Sequence, residues 1–137
     1  MTQQLIGDLW VDIWRETNTY DASNNMLSDL YEYWSNGQWV NGARDTYTYA
    51  ANGNTLTFVH EQFSNGQMMG GYRYTYTYEA NGNKLSDLWE EWSNGQWVKM
   101  SSDTYTYDAR NNMLSGLYES WSNGQLASSG GLIPSVC

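Results

Sequence analysis

The sequence predicts an all-β protein: an antiparallel up-and-down meander of about eight strands, built from four 29-residue hairpin units. Three observations predict it. The string Ser-Asn-Gly-Gln begins at Ser35, Ser64, Ser93 and Ser122, each 29 residues after the last. The string Thr-x-Thr-Tyr ends at Tyr20, Tyr49, Tyr78 and Tyr107, with the same spacing. Three further rows keep step: Leu27, Leu56, Leu85 and Leu114; Leu30, Val59, Leu88 and Leu117; and Trp34, Phe63, Trp92 and Trp121. A fixed period of this length marks an array of one supersecondary unit.

Each unit holds a longer and a shorter strand. The longer one alternates Thr and Tyr, a period-two pattern of β-branched and aromatic residues that suits a pleated strand. It recurs at about 9–21, 38–50, 67–79 and 96–108, and the shorter strand at about 26–34, 55–63, 84–92 and 113–121. Asn36-Gly37, Asn65-Gly66, Asn94-Gly95 and Asn123-Gly124 read as two-residue type I′ turns, because both positions need positive φ. Trp34 and Trp39 then face each other across the turn. A second two-residue turn is expected at Asn52-Gly53 and Asn81-Gly82, with Ser23-Asn24 and Arg110-Asn111 in its place in the outer units. The spacing of Leu27, Leu30, Tyr31 and Trp34 also fits the stripe of a short helix, which is the rival reading of the shorter strand.

Two two-residue hairpins conserve parity, whereas 29 is odd. Equivalent residues share a face only if each unit contains a bulge or an odd-length loop. One candidate lies in the longer strand near Gly42, Gly70 and Gly71; it sets Glu32, Glu61 and Glu90 opposite Arg15, Arg44 and Arg73. The other lies at Ser28-Asp29 and gathers Leu27, Leu30, Trp34, Trp39, Tyr47 and Tyr49 on one face. The first and last strands are of the two types that meet at every Asn-Gly turn. They are therefore complementary: the meander closes into a barrel with Trp121 beside Trp10, or stays open and joins copies head to tail. Residues 1–127 form the repeat domain, and the Ser/Gly-rich stretch 128–137 reads as a tail.

The chain has 137 residues and a formal net charge of −9 from 15 acidic and six basic residues. So few Lys and Arg cannot neutralise a phosphate backbone, which excludes nucleic acid as a partner. No apolar run is long enough for a membrane helix. Glu32, Arg44, Asp45 and the Thr residues interrupt any lipid-facing band of a membrane barrel. No leader segment is visible, and the single cysteine, Cys137, permits no internal disulfide.

The turn strings Tyr20-Asp-Ala-Ser-Asn-Asn25, Tyr78-Glu-Ala-Asn-Gly-Asn83 and Tyr107-Asp-Ala-Arg-Asn-Asn112 resemble the Tyr-Asp repeats of bacterial secreted and surface proteins. That resemblance implies an extracellular β-sheet protein, secreted or at the cell surface, of structural or adhesive character.

Catalysis is not expected. His60 replaces Tyr31, Trp89 and Tyr118 of the other units, so its neighbours are all repeat residues. Glu32, Glu61, Glu90 and Glu119 recur in every unit, whereas a glycosidase needs two carboxylates in unlike environments. Asp21, Glu79 and Asp108 beside the Asn-rich turns match no calcium loop, and no cofactor or metal is expected. The aromatic rows are what remains for recognition. Trp10, Trp34, Trp39, Trp92, Trp97 and Trp121 offer flat faces to sugar rings; the competing reading makes them the core of a chain poor in aliphatics. The expected function is a non-catalytic structural or adhesive module that self-assembles through its edges, with a carbohydrate-binding module as the alternative.

Overall fold

The computed structural model describes residues 2–6 and 9–132, with side chains over 13–131. It is one sheet of ten antiparallel strands in sequence order: β1 (Thr2–Ile6), β2 (Leu9–Tyr20), β3 (Met26–Ser35), β4 (Gln38–Tyr49), β5 (Thr55–Ser64), β6 (Gln67–Tyr78), β7 (Lys84–Ser93), β8 (Gln96–Tyr107), β9 (Met113–Ser122) and β10 (Gln125–Leu132). The stripe Leu27–Trp34 lies in β3, so the helical reading fails.

The Asn-Gly corners are as expected. Asn36 and Gly37 have φ of 50° and 81°, and the other three corners match them. The second turn is not a two-residue turn. The Asn24 amide donates to the Asp21 carbonyl (3.1 Å), and the Asp21 amide donates to the Asn25 carbonyl (2.9 Å). Of the central residues only Asn24, Gly53, Gly82 and Asn111 have positive φ. This is a three-residue loop, a type I turn closed by one left-handed residue. The Asp21 carboxylate fixes it by accepting the Ser23 and Asn25 amides, each at 2.8 Å.

The parity is settled by three odd steps per unit rather than one. Besides the odd loop, Leu27 is skipped where Thr19 pairs with Ser28 and Tyr20 with Met26. Gly42 is skipped where Tyr31 pairs with Ala43 and Glu32 with Asn41. Met69 and Met100 are skipped in the same way. The bulge in the longer strand therefore exists, and Arg15, Arg44 and Arg73 do stand opposite Glu32, Glu61 and Glu90, in the register that the odd loop and the bulge at Leu27 and its equivalents set together. A second bulge sits one residue before the expected Ser28-Asp29. Tyr31 pairs with Ala43, and Ala43 with Gln62, so Tyr31 lies level with a residue 31 positions on, two past its equivalent His60. The even offset keeps equivalent residues on one face, and each unit leans by about 7 Å along the strands.

The sheet is open. β1 and β10 lie at its two edges and pair only with β2 and β9. Trp10 pairs with Leu5, and Trp121 with Leu126, so the barrel contact of Trp10 with Trp121 does not form. The two strands that were to meet are covered by strands of their own hairpins. The tail is likewise shorter than expected, because Ser128–Leu132 complete β10.

No core is buried between layers. Among the described residues no hydrophobic side chain is buried, and the accessible surface is 9323 Å². A compact protein of this mass exposes roughly 7,300 Å². Both faces of the sheet meet solvent.

Of the described glycines Gly71 is the most confined: an added Cβ would lie 2.2 Å from the His60 carbonyl oxygen. At Gly70 the nearest atom is the Gln62 side chain, 3.7 Å away. Gly71→Ala is expected to destabilise the fold by about 1–3 kcal/mol in urea denaturation, because backbone cannot move aside, with Gly70→Ala much milder.

Candidate functional site

The alternation of side chains sorts the residues into two unlike faces. On the first, four bands cross the strands. Nearest the Tyr-Asp turns runs a hydroxyl band: Thr19 with Ser28 (2.7 Å), and Thr48 with Thr57, Thr77 with Ser86 and Thr106 with Ser115 (each 2.6 Å). The row Leu30, Val59, Leu88 and Leu117 follows. The third band is ionic. Arg15 forks onto Glu32 (2.5 and 2.9 Å), Arg73 forks onto Glu90, and Arg44 bonds Glu61 (2.7 Å). Glu32 and Glu90 are among the few buried residues. The Glu32 hydrogen bond also holds the Arg15 pKa above its usual value, against the opposing effect of burial.

The fourth band is aromatic and contains the predicted binding residues. Trp34 packs edge-on against Trp39, and Trp92 against Trp97, each with ring centroids 5.3 Å apart. In the second unit Phe63 and Met68 take this place, and in the fourth Trp121 meets Leu126. These rings are not a core, as one reading had it, because no second layer covers them. Three of the rings, Trp39, Trp97 and Trp121, carry a cation over one face. Arg15 sits over Trp39 at 4.6 Å, Arg73 over Trp97 at 5.0 Å and Lys99 over Trp121 at 3.5 Å. The chain's own cations cover those rings. Trp34 is the most open of them, at 39% exposure. The side chain of Trp10 lies outside the described residues. Clefts of about 500 and 470 Å³ open between neighbouring Asn-Gly hairpins, lined in part by Trp39 and Trp121.

The second face was not singled out from the sequence. Tyr47, Phe58, Tyr72, Tyr74 and Trp89 form a continuous aromatic run across it, with centroids 4.9–6.4 Å apart. Acidic residues interrupt the run. Asp29 faces Asp45, and Asp87 faces Asp103. Like charges directly opposite are unfavourable. Burial raises the Asp29 pKa, as do Glu16 and Asp45; burial and Asp87 raise that of Asp103. His60 stands beside Asp45 (2.6 Å) and stacks on Tyr72. The signal available beforehand was the shared parity of Asp29 and Tyr31 in β3, read together with the Gly42 bulge.

Asp21 and Asp108 act as turn braces. The side-chain amide of Asn25 holds the Asp21 carboxyl below its usual range, and Asn112 does the same for Asp108. Among the described residues no group of three or more His, Cys, Asp or Glu is arranged to hold a metal ion.

No protein-family model matches the sequence, and no curated protein is similar to it. Among solved structures, a protein of unknown function from Bacteroides fragilis NCTC 9343 superposes with a TM-score of 0.50 at 10% identity, over 89% of this chain and 92% of that one. That likeness concerns the fold alone. DUF3836 family proteins from Bacteroides vulgatus ATCC 8482 and Parabacteroides distasonis ATCC 8503 are 12% and 16% identical, each with a TM-score of 0.26. They align over 88% and 87% of this chain and over 99% and 92% of their own.

The carboxylates split by sign. Asp21 and Asp108, with lowered pKa values, stabilise the fold above the usual carboxylate range, and that stability is lost as pH falls. Asp29, with a raised value, favours the fold while protonated and costs stability as pH rises through its folded pKa. Asp29→Asn is therefore expected to raise Tm at neutral pH, with the gain shrinking as the buffer approaches about pH 4. Asp108→Ala is expected to lower Tm at neutral pH and to converge on the parent in acid.

Proposed function

We propose that the chain is a non-catalytic structural or adhesive β-repeat module, secreted or at the cell surface, that works through the broad faces of its sheet. The observation that carries this reading is the uncovered single layer. A ten-strand sheet with no buried apolar side chain among its described residues presents far more patterned surface than a protein of its mass requires. The Tyr-Asp turn strings support the extracellular placement.

Head-to-tail joining has little to work with. Carrying the β4–β5 register onto β10 and the β1 of a second copy aligns Gly130, Gly131 and Leu132 with Gln4, Gln3 and Thr2, and no further described pairs. Association through a face uses Tyr31, Tyr72 and Tyr118, which are 41%, 37% and 46% exposed. A carbohydrate-binding role is the second reading, favoured by the open Trp34 ring and the clefts between hairpins.

Light scattering across a concentration series tests the first reading. The mass is expected to rise above 15.7 kDa with concentration. Ser129→Pro in the edge strand should leave that rise intact, and Tyr72→Glu should suppress it. A strict monomer at every concentration, with no retention on any polysaccharide column, would overturn both readings.

A further inference from the structure

The clefts between the Asn-Gly hairpins arise from the lean of the repeat. β3 and β4 stay paired up to Ser35–Gln38, whereas β4 and β5 pair no farther than Ala43–Gln62. Gln38–Gly42 therefore have a paired strand on one side only. On the other side stands the corner of the next hairpin, Asn65-Gly66, set back by about 7 Å along the strands. The cleft between them holds about 500 Å³, within the usual range of small-ligand sites, about 300–1,000 Å³. It lies between hairpins, so both faces line it: Tyr33 and Val40 from the second, Trp39 and Asn41 from the first.

Its lining is neutral in a chain of net charge −9. Four carboxamides, Asn36, Gln38, Asn41 and Asn65, surround it with the rings of Tyr33 and Trp39, and none of its lining residues is charged. A carboxamide donates and accepts hydrogen bonds at once, as a hydroxyl does. At the opposite end of the sheet such groups are spent within the chain: Asn25 bonds Asp21, Asn81 bonds Asn111 and Asn112 bonds Asp108. Trp39 keeps a side for the cleft, because Arg15, over one face of its ring, comes from β2, whereas the cleft lies toward β5.

The same cleft recurs 58 residues on with altered walls. Asn94, Gln96 and Asn123 repeat Asn36, Gln38 and Asn65 in a volume of about 470 Å³. There Glu91 takes the place of Tyr33, and Lys99 that of Asn41. The Lys99 ammonium lies 3.5 Å from the centre of the Trp121 ring, the aromatic wall of this second cleft. One cleft is uncharged; its counterpart holds a carboxylate and a ring already capped by a cation.

We propose that the first cleft binds a neutral saccharide. The rings of Trp39 and Tyr33 meet the apolar C–H face of a sugar, and the carboxamides exchange hydrogen bonds with its hydroxyls. The acidic chain repels sugar acids. A peptide fits less well, because strand addition needs a long open edge, and the one-sided stretch of β4 is short and faces a hairpin corner. The proposal rests on the carbohydrate-binding reading and adds to it a site and a class of sugar.

Calorimetric and NMR titrations of the intact chain test it. The neutral probes are cellohexaose, xylohexaose and mannohexaose; trigalacturonate is the acidic probe, and acetyl-Ala-Ser-Ala-Ser-Ala-amide the peptide. A neutral oligosaccharide is expected to bind at one site per chain and to shift the Trp39 indole and the carboxamides of Gln38, Asn41 and Asn65. Trp39→Ala should weaken binding at least about tenfold. Gln38→Ala and Asn41→Ala, which keep the Trp34–Trp39 pair and its stability, are each expected to weaken it by about two- to tenfold. Glu91→Tyr combined with Lys99→Asn should raise the stoichiometry to two. Saccharide binding with shifts confined to Trp34 or to the second face, or with unchanged affinity in all three alanine variants, would overturn this site and leave the carbohydrate reading standing. Tighter binding of trigalacturonate or of the peptide than of every neutral probe would overturn the class of ligand. No binding of any neutral probe would overturn the site and the carbohydrate reading together.

Discussion

A sheet with water on both sides cannot stabilise itself by hiding apolar side chains between layers, and this constraint governs the rest of the molecule. What remains is the backbone ladder and the pairing of side chains across it. Each cross-strand pair is worth a fraction of a kcal/mol to about 1 kcal/mol, so the fold needs many pairs, all in register. The repeat supplies them. Because equivalent residues recur on the same face with an even offset, each pair type becomes a row: hydroxyl, aliphatic, ionic, aromatic. The rows also reinforce one another. Arg15 serves Glu32 and Trp39 at once, and Arg73 serves Glu90 and Trp97.

Charge is divided unequally by the same pleat. The first face pairs its acids with Arg15, Arg44 and Arg73. The second leaves Asp29 beside Asp45 and Asp87 beside Asp103, relieved only by His60 and Lys84. The arginine row stops one unit short, because Glu119, the fourth glutamate of the band, stands between Ser102 and Ser129.

Much of this was legible from residue spacing. The Asn-Gly corners, the strand pattern and the Trp34–Trp39 contact follow from period and parity, which left the Arg–Glu register as one of two candidates. The second turn was misread because Asn52-Gly53 looks like a two-residue hairpin, although only Gly53 is left-handed and the brace at residue 21 or 108 makes three residues the stable length. The outer strands were missed for a different reason. Leu5-Ile6-Gly7-Asp8 aligns with Trp34-Ser35-Asn36-Gly37 by position and not by residue type. Ser128–Leu132 continues a strand with the composition of a linker. Whether aromatic rows lie inside or on a surface cannot be read from periodicity, since a single layer and a sandwich share the same alternation.

Small-angle scattering on the monomer peak tests the single open layer most directly. A slab of ten strands at ordinary spacing has a radius of gyration of about 18 Å, against about 14 Å for a compact domain of this length. The larger value is expected, with a pair-distance distribution skewed to long distances. A radius near the compact value, with a symmetric distribution, would mean that the sheet folds over on itself and that the faces described here are buried.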